Sequence, residues 1–191
     1  MPLNISLRAR LLLSATSGIG CTLVWFLEPD LASFFGNLWF YGLPGLFFAA
    51  GVLFPYIRQD KFMHLRGAAL VLLSTLGYWG ATLMVIENPF SLSTEWMTGS
   101  ESGWLSFLTG SVTGAFTVML AVVLIAPVRV TLLYPLLGVV ASIAGGLITA
   151  ITFNQDGFWA LGVGYVSWHM LICLAIYFGT HSRRADHQAI P

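Results

Sequence analysis

Apolar residues run for about the thickness of a bilayer six times along the chain, with short polar breaks between the runs. The runs cover residues 9–27, 38–57, 65–86, 104–126, 130–153 and 158–179. Each is close to the roughly 20 residues that a helix rising about 1.5 Å per residue needs to cross the hydrocarbon core. The breaks are Glu28-Pro29-Asp30, Arg58-Gln59-Asp60-Lys61, Glu87-Asn88-Pro89, Pro127 with Arg129, and Asn154-Gln155-Asp156-Gly157. Proline and charge end each run. Only Ala126 to Arg129 separates the fourth run from the fifth, but a fused span would approach twice the bilayer thickness, so a tight turn is expected there. The pattern predicts an all-α fold: a polytopic transmembrane bundle of six helices, forming one integral membrane domain with a polar tail over residues 180–191.

Charge tests that count. Arg8, Arg10, Arg58, Lys61, Arg66, Arg129, Arg183 and Arg184 all fall on one side of the predicted membrane. The other side holds Glu28, Asp30, Glu87, Glu95, Glu101 and Asp156, leaving Asp60 and Asp186 with the bases. Positive charge collects in cytoplasmic loops, so both termini are expected in the cytoplasm, and one helix more or fewer would scatter the bases over both faces. The expected location is a bacterial cytoplasmic (inner) membrane. Trp39, Trp104 and Trp159 stand near the outer starts of the even-numbered helices, at headgroup depth.

Composition narrows the class further. With 57% hydrophobic and 8% charged residues, the chain cannot build a water-soluble surface. Its formal net charge is zero, and the basic and acidic residues occupy different places along the chain, which argues against a basic nucleic-acid face. The apolar run after Arg8 and Arg10 continues through Trp25 without a small-residue cleavage signature, so it reads as a retained first helix. The two cysteines, Cys21 and Cys173, lie within apolar runs, which argues against a disulfide framework.

Each odd helix ends outside near an acid, at Glu28, Glu87 and Asp156, and each even helix then opens with a Gly and a Trp. This fits three repeated hairpins, or the membrane's own placement of acids, turns and indoles. Small residues recur at helical spacing: Ser14, Ser17, Gly18 and Cys21; Ser106, Gly110 and Gly114; Gly138, Ser142 and Gly146. Such stripes let helix backbones approach closely, either within the bundle or across an interface with a second copy or another membrane protein.

No Asp, Glu, Lys or Arg falls in the interior of a predicted span, away from its ends, which argues against proton relays and voltage sensors. His169 is the ionisable exception, near the bilayer midplane. Tyr165, His169, Cys173 and Tyr177 recur every four residues on one helical face, beside Ser167 and Trp168. His169, Tyr165, Cys173 and Tyr78 are the candidate ligand-binding residues, with Glu28, Glu87 and Asp156 at an outer mouth. The bland alternative for His169 is a neutral imidazole bonded to a hydroxyl of a neighbouring helix. His64 lies at the cytoplasmic end of the third helix, too far in depth to pair with His169 around a haem. GxSxG, HExxH and phosphate-binding loops are all missing, so neither a catalytic residue nor a metal or other cofactor is assigned.

In size, span count and orientation the chain resembles the small substrate-binding subunits of energy-coupling vitamin uptake transporters, although none of their ligand motifs maps onto these residues. The expectation is a non-enzymatic membrane protein that binds or moves a small neutral or apolar solute. The alternatives are a structural or assembly subunit of a larger membrane complex and, third, a lipid-modifying membrane enzyme.

Overall fold

A computed structural model describes residues 5–26, 43–57, 61–86, 103–126, 128–153 and 158–181. These residues form six helical segments: α1 (Leu7–Phe26), α2 (Leu43–Tyr56), α3 (Met63–Ile86), α4 (Gly103–Ile125), α5 (Leu133–Phe153) and α6 (Phe158–His181). No strand occurs among the described residues. Four helices contain stretches long and apolar enough to cross a membrane, namely Met63–Met84, Leu105–Ile125, Leu133–Thr152 and Gly162–Thr180. α1 has 20 residues and carries Arg8 and Arg10 in its first turn. All eight acidic residues, the outer-mouth acids Glu28, Glu87 and Asp156 among them, lie outside the described residues, as do Trp39 and the loop that follows Ile86.

The helix ends have local causes. α1 starts at Leu7, just ahead of the predicted run, because Ser6 caps it: the Ala9 N–H donates to Ser6 Oγ at 3.3 Å and the Arg10 N–H to the Ser6 carbonyl at 3.0 Å. Arg10, expected ahead of the apolar core of the span, is therefore helical and only 3% exposed. Residues 130–132 form a turn instead of opening α5, since the Thr131 backbone N–H and hydroxyl both donate to the Gly179 carbonyl at 3.0 Å.

α2 departs most from the expectation of a regular span over 38–57. It is α-helical over Leu43–Phe48, a π-helix over Ala49–Leu53 and a 3-10 turn over Phe54–Tyr56. Pro55 cannot donate to the Gly51 carbonyl, and its ring crowds that carbonyl. The preceding turn widens, so the Phe54 N–H reaches back five residues to the Ala49 carbonyl.

Each helix packs against its neighbours in sequence, and α6 returns to α1, so the six close into a ring. The start of α1 meets the ends of α2 and α6, where the Arg10 guanidinium lies over the rings of Tyr56 and Tyr177. The small-residue stripes lie inside this ring. A Cβ on Gly18 would stand 2.6 Å from Val166 Cα on α6, and one on Gly51 would stand 2.7 Å from the Leu13 carbonyl oxygen on α1. Ser14, Ser17, Cys21, Ser106 and Ser142 are likewise buried. Leu72, Phe116, Leu124, Leu136 and Ile151 point outward, the pattern of a bundle whose surface meets lipid.

A polar seam as the candidate functional site

α1 presents Arg10, Ser14, Ser17 and Cys21 at intervals of four, three and four residues, which keeps them on one face over about 16 Å. That face meets α6, which presents Tyr177, Cys173 and His169 at four-residue spacing, and it also meets the irregular α2. The three helices enclose a buried polar seam.

At its lower end the Arg10 guanidinium carbon stands 4.5 Å from the Tyr56 ring centroid and 5.7 Å from that of Tyr177. These are cation–π distances. Arg10 Nε donates to the Ile5 carbonyl at 3.1 Å. One turn up, Ser14 Oγ donates to the Arg10 carbonyl at 2.9 Å.

His169 occupies the upper part and is 0% exposed. Its Nδ1 lies 2.9 Å from Ser17 Oγ, and its Nε2 lies 3.8 Å from Cys21 Sγ. The surrounding bonds fix the tautomer. Ser17 spends its single hydroxyl proton on the Phe47 carbonyl at 2.7 Å, so its oxygen must accept from His169 Nδ1–H. The Nε2 lone pair therefore faces the Cys21 thiol, whose other acceptor within reach is the Pro44 carbonyl at 3.6 Å. Phe48 packs edge-on against the imidazole at 4.7 Å between ring centroids.

The sequence-derived candidates divide into two groups. His169 and Cys173 are in the seam. Tyr165 and Tyr78 pair with each other on the α3 side, their rings stacked at 6.1 Å and 20°. The seam also contains Arg10, Ser17, Cys21 and Tyr56, none of which the sequence reading placed with His169. The spacing of Arg10, Ser14, Ser17 and Cys21 was visible, but only the partner helices show that this stripe faces the histidine.

Trp168 is a further residue the sequence singled out only as a neighbour. It donates from Nε1 to Ser111 Oγ on α4 at 2.6 Å and its ring lies 5.2 Å from that of Phe48 on α2. A Cβ on Gly145 of α5 would stand 2.5 Å from its ring. One indole thus ties α6 to α2, α4 and α5.

Among the described residues no group of three or more His, Cys, Asp or Glu side chains converges. The chain matches no protein-family model, no curated protein and no solved structure.

Proposed function

We propose that this is a multi-pass protein of the bacterial cytoplasmic membrane, crossing six times with both termini inside, and that it binds or moves a small neutral or apolar solute without chemical conversion. The observation that carries the reading is the apposition of a broken helix to a buried polar seam. α2 switches from α to π to 3-10 geometry beside His169 and Arg10. Gly- and Pro-interrupted helices at the depth of buried polar groups are the element from which membrane carriers build solute sites. α2 would move against α1 and α6, opening the seam that is packed shut in this conformation.

Two further features support this over a purely structural role. The small-residue stripes that would have served as docking faces are taken up by contacts within the bundle. The ionisable side chains of α1 and α6 that are buried point into one seam instead of being spread over the helix interfaces. The test is a His169→Phe protein that still folds and inserts: solute binding, read from what co-purifies in mild detergent, is lost. An unchanged ligand profile in that variant would remove the seam as the site and favour the assembly-subunit reading.

A further inference from the structure

The chain has two cysteines, the only side chains able to supply a thiolate, and four histidines. Both cysteines and His169 fall in the one seam, buried among α1, α2 and α6. The Cys21 and His169 donor atoms are 3.8 Å apart. A sulfur and a nitrogen on opposite sides of one d10 metal ion are separated by about 4.3 Å, the sum of bonds of about 2.3 Å and 2.0 Å. The pair is thus within about half an ångström of a linear two-coordinate site.

The histidine is already set up as a ligand. Ser17 Oγ accepts from His169 Nδ1–H, which leaves the Nε2 lone pair facing the sulfur. Metal-binding histidines are held in this way, with the second ring nitrogen donating to a fixed acceptor. Beyond the ring, Ser17 is itself anchored on the Phe47 carbonyl of α2.

Charge and donor number select the ion. Two side-chain donors are too few for a closed tetrahedral zinc site. A divalent ion on one thiolate and one neutral imidazole would also leave a net positive charge in a low-dielectric interior. A monovalent ion with one thiolate is neutral, and soft sulfur with imidazole favours copper(I). We infer that Cys21 and His169 form a two-coordinate site for a monovalent soft cation, copper(I), between α1 and α6 beneath the start of α2. On binding, the Cys21 thiol loses its proton to solvent and the metal–sulfur bond replaces the S–H bond, with no change of oxidation state. Cys21 and His169 are both fully buried, so the ion enters when α2 moves away from the seam, and in that respect the inference rests on the proposed function.

The experiment uses the full chain in mild detergent under anaerobic conditions, with copper(I) supplied from a coloured chelator whose absorbance reports transfer. About one copper(I) per chain is expected, with one sulfur and one nitrogen in the X-ray absorption spectrum. Cys21→Ser and His169→Phe lose the bound copper, while Cys173→Ser keeps it. Ser17→Ala retains both donors and so checks the supporting bond even if the other variants fail to fold; it weakens affinity by about 10- to 100-fold. Failure of the wild-type chain to take copper from the chelator overturns the inference. So does undiminished binding by a folded Cys21→Ser protein, or a first shell of two sulfurs.

Discussion

Ser17 is the residue whose loss reports most directly on the seam. Its hydroxyl accepts from His169 Nδ1–H at 2.9 Å and donates to the Phe47 carbonyl at 2.7 Å, so Ser17→Ala breaks two interhelical bonds at once. Interhelical hydrogen bonds inside membranes average about 0.6 kcal/mol and reach about 1.7 kcal/mol. A buried imidazole N–H left without an acceptor adds to that. The expected loss is about 1–3 kcal/mol. A double-mutant cycle with His169→Leu isolates the shared bond, with a coupling energy of about 0.6–1.7 kcal/mol. The measurement is reversible unfolding of each variant in mixed micelles, and imidazole nitrogen chemical shifts read the tautomer in parallel. Additivity of the two substitutions within about 0.3 kcal/mol, with the histidine tautomer unchanged in Ser17→Ala, would refute the bonding scheme.

Gly51→Val places a branched side chain against the Leu13 carbonyl and Ser17, and should lower stability by about 1–3 kcal/mol in the same assay. Trp168→Phe removes the 2.6 Å bond to Ser111 and costs about 1 kcal/mol, whereas Trp168→Ala opens a cavity among four helices and costs about 3–5 kcal/mol; similar losses in both would contradict the cross-bundle role. Arg10→Gln sacrifices the guanidinium contact with Tyr56 and Tyr177 for about 1–2 kcal/mol, and Arg10→Lys does not restore it, because a compact ammonium cannot lie flat against both rings. Reporter fusions at residue 191 and after residue 3 are both expected to read cytoplasmic, and opposite readings would contradict an even number of crossings.

Hydropathy made the helices legible because lipid imposes one demand on every span: backbone satisfaction over about 20 apolar residues. Helix starts were less legible, since they depend on single groups such as Ser6 at α1 and Thr131 before α5. The irregularity of α2 was foreshadowed by Pro55, but a proline alone does not reveal whether a helix will kink, end or widen into a π turn. His169 was found because an ionisable group at mid-span stands out against apolar neighbours. Its bond to a hydroxyl on an adjacent helix was the bland alternative for that residue, and the structure has that bond. Arg10 went unnoticed as a buried group because a basic residue at a span's edge satisfies the topology rule without further explanation. Burial of its guanidinium depends on the ends of α2 and α6, more than 40 residues away in sequence. Pattern within one helix carries no information about such a meeting.

The π segment of α2 amounts to one residue more than a regular helix would use over the same rise. Every side chain after it is turned by about 100° relative to those before it. Phe48 lies before the segment and faces His169, while Tyr56 lies after it and faces Arg10. The inserted residue therefore sets the phase between the two ends of the seam. Deleting Ala50 would restore an even helical count and rotate Tyr56 away from Arg10 while leaving Phe48 in place. A sequence one residue shorter could keep every hydrophobic span and still lose the lower half of its polar interior.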